Sequence, residues 1–264
     1  MLLQLYYIIL ILVFFILINC LFYFYKKKVV NEFFKNNIIF LNKEQLYKIL
    51  ILNEDKYYEH FYNLDYKARK IKSIDEYIIY IKKAVCDGDK ECKEKISRCI
   101  MKADNFFENI HFSYFNGKKN NSIPWKIGFV QTKLYENGLP HTRNDTIILH
   151  VDKIKYSSMH NLIKTLIHEK VHIYQKKYPE QIQNYLDNKK FKRVKERGPY
   201  DNIRANPDLD NYIYQDENHL SYKALYNKNP SSIEDIIYYP QNNQSYEHPY
   251  EKMAIDIENL YKSK

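Results

Sequence analysis

The chain has 264 residues, enough for one sizeable domain or two small ones with a proper core. Lys, Asn, Ile, Tyr and Phe are heavily used and Gly, Pro and Trp are sparse, the usage of an AT-rich coding sequence. The net charge is +9, but the lysines are spread along the whole length, with no dense basic block beyond the first thirty residues. The charge therefore does not define a nucleic-acid surface, and no nucleic-acid partner is expected.

From Met1 to Tyr25 there is no charged side chain, and Lys26, Lys27 and Lys28 follow. About 20 apolar residues span a bilayer as a helix. A signal peptide would have a shorter apolar part and small residues at a cleavage site, whereas this run ends in aromatics and lysines that suit a membrane interface. The expectation is a single-pass transmembrane anchor with its basic flank over residues 1–28, in contact with the membrane through residues 2–25. The lysines put the main domain on the cytoplasmic side, with a virion membrane as another setting.

Residues 29–110 read as a helical region. "NKEQLYKILILNEDKYYEHFYNL" and "SIDEYIIYIKKAV" repeat apolar residues at helical spacing, "CDGD" breaks the pattern near Gly88, and "KECKEKISRCIMKADNFFENI" resumes it. No catalytic grouping falls here. Cys86, Cys92 and Cys99 match no zinc knuckle, and an odd count argues against a disulfide framework. Packed thiols are the simpler reading.

Residues 111–264 have a different pattern. "WKIGFVQTKL" and "DTIILHVDKI" are apolar, β-branched stretches that read as strands, and "YENGLPHTRN" between them reads as a turn or loop. Ser157 or Ser158 caps a helix that runs to about Tyr178, before Pro179. A second, polar helix is predicted over "PEQIQNYLDNKKFKRVK", then a long loop through "ERGPYDNIRANPDLD". Short strands are predicted in "NYIYQDE", "LSYKALY" and "EDIIYYP", and a final helix begins near Pro249, a residue suited to a first helical position. The fold class is α+β: an N-terminal transmembrane helix, a helical region, then a domain with a small sheet.

The helix after Ser158 contains "TLIHEKVHIYQ". Residues four apart lie roughly 40° from each other around a helix, so His168 and His172 project side by side and can reach one ion. Glu169 lies about 100° round from His168, beside such an ion, where a base can take a proton from water. Leu162, Ile163, Leu166, Ile167, Val171 and Ile173 make most of the helix apolar, and the arc around the histidines is the more polar one. A metzincin would carry Gly at 175 and His or Asp at 178; Gln175 and Tyr178 exclude that class. The third ligand is then sought downstream. Glu251, in the first turn of the last helix, is the best placed, because Met253, Ala254, Ile255 and Ile257 can pack that helix down. Glu196, Glu247 and His248 remain alternatives.

"TLIHEKVHIYQ" followed by "HPYEKMA" resembles gluzincin-type zinc metallopeptidases. Together with "GLPHTRNDTIIL", "ANPDLDNYIYQ" and the AT-rich usage, it is similar to predicted metallopeptidases of large DNA viruses, over roughly residues 110–260. The resemblance implies a zincin-like domain with His168, His172 and Glu251 as zinc ligands and Glu169 as general base for a zinc-bound water, acting on a protein or peptide. In such folds a strand like "TIILHV", residues 146–151, edges the cleft and pairs with substrate. His141 is a candidate for shaping the cleft, Tyr246 or His248 for stabilising an oxyanion, and Asp256 or Glu258 for orienting a ligand histidine. The competing expectation is a non-enzymatic, membrane-anchored structural or virion protein with an incidental motif.

Overall fold

In the computed structural model, residues 14, 16–21, 37–240 and 246–262 are described. Residues 1–38 and 39–264 separate into two compact units. Most of the predicted anchor lies outside the described residues, and among the described residues no helix is long and apolar enough to cross a membrane. This corrects the expectation of a transmembrane helix in the fold and, with it, of a single-pass membrane location.

From residue 38 the elements are strand β1 (Ile38–Phe40), helix α1 (Lys43–Leu52), a 3₁₀ turn (Tyr57–His60), α2 (Asn63–Arg69), α3 (Ile74–Ala84), β2 (Val85–Cys86) and α4 (Lys90–Phe107). Then come β3 (His111–Phe112), β4 (Phe115–Asn116), α5 (Gly117–Asn121), β5 (Trp125–Val130), a 3₁₀ turn (Glu136–Gly138), β6 (His141–Arg143), β7 (Thr146–His150), α6 (Val151–Tyr156) and α7 (Met159–Lys177). The chain continues through α8 (Pro179–Asn188), β8 (Lys192–Glu196), β9 (Tyr212–Gln215), β10 (Lys223–Tyr226), β11 (Ile236–Tyr239) and α9 (Pro249–Glu258).

The main sheet runs β1-β5-β7-β6, with β2 also paired to β5. β5 and β7 are parallel, Ile127 opposite Ile147 and Phe129 opposite Leu149. All of β7 and most of β5 are buried, as expected of apolar strands covered on both faces. Gly128 leaves room for Leu46 of α1, which a Cβ would meet at 2.6 Å. Leu46, Leu50, Tyr77, Ile81, Val85, Val130 and Ile148 share one core cluster, so the helical region and the sheet bury a common apolar surface. Cys92 and Cys99 are buried free thiols.

Local signals explain most helix ends. Asn42 makes a capping box with Gln45, and Ser73, Asp89 and Ser158 each accept a hydrogen bond from the third residue beyond. Three segments depart from expectation. The strand through "TIILHVDKI" stops at His150, whose ring accepts the Asp152 N–H and caps α6. The "YENGLPHTRN" loop holds strand β6, folded onto β7 by a turn in which Asn144 takes φ 52°, a conformation Asn tolerates. The helix predicted through "KFKRVK" ends at Asn188. Lys190 turns left-handed at φ 57°, and β8 pairs instead with β9, Lys192 opposite Gln215 and Glu196 opposite Tyr212, a distant partner that periodicity does not reveal.

Candidate metal centre

Helix α7 is amphipathic only in its first half. From Leu166 to Gln175, every residue except His168 is buried, so the side chains of its polar arc must find partners inside the protein. Helix α9 packs against it, with Met253, Ala254 and Ile257 buried. Its start is held by His248, whose Nδ1 accepts the Tyr250 N–H while Nε2 donates to Asp210 Oδ1 at 3.2 Å. Pro249 fills the first helical position, and Glu251 falls in the first turn, where the helix dipole favours a carboxylate.

This packing brings the expected residues together. His168 Nε2 lies 3.0 Å from His172 Nε2 and 3.2 Å from Glu251 Oε2, and His172 Nε2 lies 3.8 Å from Glu251 Oε1. Ligand atoms about 2.0–2.1 Å from a tetrahedral ion lie about 3.3 Å apart, so the three donors have the spacing of three corners of such a site. The outer hydrogen bonds set the tautomers. His172 Nδ1 donates to Gln175 Oε1 at 2.8 Å, because the Gln175 amide nitrogen is committed to the Tyr250 carbonyl at 2.9 Å. His168 Nδ1 donates to Glu258 Oε2 at 3.1 Å. With both Nδ1 atoms carrying protons, both Nε2 lone pairs and the Glu251 carboxylate converge on one point. That donor set fits a divalent cation.

The electrostatics agree. Burial works against the charged form of His168, yet the Glu251 and Glu258 carboxylates outweigh it and hold its pKa well above the usual imidazole range. Burial lowers the His172 pKa and keeps that ring neutral, as a ligand must be. Burial also disfavours the Glu251 anion, but the neighbouring His172 and His168 rings, a hydrogen bond from His168 and the Arg204 charge override it and hold its carboxyl far below the ordinary value. An excess proton on His168 is what the three donors would otherwise share. A cation would displace it.

Glu169 lines the same cleft, 4 % exposed. Among the described residues nothing hydrogen-bonds its Oε2. Burial, then the Asp208 charge, pushes its pKa well above the carboxylate range, and a nearby cation would bring it back down. A buried carboxylate oxygen without a partner is costly for stability and is the form a proton acceptor for substrate or water takes.

The cleft has a volume of about 440 Å³. Leu139, Pro140 and His141 form one wall and Ile233, Ile236 and Tyr238 another, while Arg204, Asn206 and Asp208 line the third. His141 is buried, its ring on the Leu139 carbonyl and the Tyr135 hydroxyl. The segment Arg204–Asp208 was expected only as loop. Asn206 Nδ2 donates to both Glu251 Oε1, at 3.1 Å, and Glu247 Oε1, at 2.8 Å, and Arg204 pairs with Glu247.

The remaining candidates fall elsewhere. Glu196 is exposed on β8. Glu247 is committed to Arg204, and His248 to Asp210. Tyr246 stacks on Tyr222, ring centroids 4.7 Å apart, and neither Tyr246 nor His248 lines the cleft. Asp256 pairs with Lys252, leaving Glu258 as the acceptor for His168. Strand "TIILHV" is interior to the sheet; β6 holds the edge. No family model, curated protein or solved structure matches the chain.

Proposed function

We propose that the chain is a zinc-dependent metallopeptidase that hydrolyses peptide bonds, with His168, His172 and Glu251 holding the ion and Glu169 as general base. One observation carries the reading. Two histidine lone pairs and a carboxylate converge at tetrahedral spacing, with an unpartnered carboxylate oxygen beside them in the same cleft. Two histidines and one carboxylate are a familiar catalytic zinc set that leaves a position open, and a purely structural site would close it.

A zinc ion bound there supplies Lewis acidity toward water and a peptide carbonyl. The chain's own residues do the rest. Glu258 and Gln175 keep the two rings oriented, and Asn206 fixes the Glu251 carboxylate. Glu169 accepts a proton from the attacking water and returns it to the leaving amine. Arg204 and Tyr238, both in the cleft wall, are the donors assigned to a developing oxyanion.

Metal analysis of the purified full chain tests this. One zinc per chain is expected, with none retained by His168→Ala. A metal-free protein of unchanged stability after zinc addition would sink the reading.

A further inference from the structure

The cleft is closed to the way an extended polypeptide binds a sheet edge. Strand addition needs free main-chain N–H and C=O groups on an edge strand. β6 is the edge beside α7, but its outward groups are occupied. The Thr142 N–H donates to Asp208 Oδ1 at 2.6 Å, and the Thr142 carbonyl accepts from Lys176 Nζ at 3.1 Å. The Thr142 hydroxyl bridges the same two side chains, at 2.6 Å to each, and Lys176 also donates to the Pro207 carbonyl at 2.9 Å. Thr142 and Asp208 are buried, so water does not exchange cheaply with the bonds between them, while Lys176 reaches in from an exposed position. One residue before His141 stands Pro140, which has no N–H to offer.

The β10 wall is closed to strand addition as well. The edge of β10 that does not pair with β11 is taken by the chain itself: Arg204 N–H donates to the Ala224 carbonyl and Tyr226 N–H to the Asn202 carbonyl. From β11 it is Ile236 and Tyr238, alternate residues on one face, that line the cleft, so the strand turns its face and not its edge to a substrate. Asn137 Nδ2 reaches Glu234 Oε2 at 3.1 Å and ties that wall to the loop before β6. What is left is a chamber lined by side chains, inside the roughly 300–1,000 Å³ typical of small-ligand sites.

Resting on the metallopeptidase reading, we propose that the substrate is a short peptide seated among side chains, and that Thr142, Asp208 and Lys176 seal the edge against longer chains. The experiment is a comparison of degenerate peptide libraries of about four and about sixteen residues, incubated with the zinc-loaded full chain and read by mass spectrometry, with Glu169→Gln as the blank. The short library should be cleaved at least roughly tenfold faster per molecule. Equal or faster internal cleavage of the long library overturns the inference and leaves the peptidase reading standing. No Glu169-dependent cleavage of either library overturns both. Asp208→Ala frees the Thr142 N–H and should raise the long-to-short ratio severalfold. Because a ratio does not depend on the fraction of enzyme that folds, an unchanged ratio would overturn the role of the seal.

Discussion

Two clusters of buried charge meet at adjacent residues, Ala205 and Asn206, and they are built in opposite ways. Around Ala205 the helical region supplies Asp65, Arg69, Tyr57 and Tyr77, which enclose Glu136 and Arg197. Arg69 donates to both Glu136 oxygens, to the Asp65 and Ala205 carbonyls and to the Tyr226 hydroxyl, and Asp65 accepts the Ala205 N–H at 2.9 Å. Two cations balance two anions, and each lone pair has a proton facing it. Around Asn206, three donor atoms face one another, and among the described residues Glu169 Oε2 has no partner. A saturated network holds a structure together, whereas an unsaturated one, here partly open at His168 and Glu251, is tolerated where something else is to bind. Charge alone does not separate these roles; the count of unmatched lone pairs does.

The contrast can be broken at several points. The largest effect is expected at Glu169→Gln, which keeps the ligands and removes the base. Hydrolysis should fall roughly 10²–10⁴-fold, about 3–5 kcal/mol in the barrier, with zinc content unchanged by metal analysis; full activity would dismiss Glu169 as the base. Arg69→Met removes the hub of the saturated cluster and leaves buried Glu136 and Asp65 without it. Unfolding in urea should lose about 3–5 kcal/mol, and a loss under 1 kcal/mol would show that the network is not what holds the helical region.

The same cluster predicts acid sensitivity. Burial would raise the Glu136 pKa, but the Arg69 charge and hydrogen bonds outweigh it and hold it at about 2, below the ordinary 4.5. A carboxyl depressed in the folded state stabilises above its unfolded value, and that contribution fades as pH falls from about 4.5 toward 2. Denaturation midpoints measured across this window should drop in the parent chain and drop less in Glu136→Gln. At Glu258→Gln the expected effect is smaller again. His168 keeps a hydrogen-bond acceptor but loses a charge, and zinc affinity by chelator competition should weaken roughly 10–100-fold. Least is expected from Lys190→Ala. Its pair with Glu217 is exposed at both ends, and such pairs contribute about 0–1 kcal/mol, so the melting temperature should hardly move.

Sequence reasoning reached the site further than it reached the fold around it. The histidine pair and Glu169 follow from helical period alone, and Pro249 with the apolar run after it placed Glu251 on a packed helix. Asn206 and Asp208 lay in a loop with no period to read, and Glu258 looked like any acid on a surface helix. The edge strand β6 has three residues and pairs through its backbone, so its side chains carry little signal. The apolar N-terminal run read as an anchor by length and composition, and among the described residues no helix bears that out.

By itself the sequence determined which side chains share a helix face and where helices α7 and α9 begin, because caps, prolines and the 3.6-residue period act over a few neighbours. Only the tertiary structure decided that Glu251, 79 positions from His172, completes the cluster, that Glu136 is saturated while Glu169 is not, and that Thr142 closes the sheet edge. Those outcomes depend on which distant groups meet in a common interior, and on whether each buried lone pair finds a proton there.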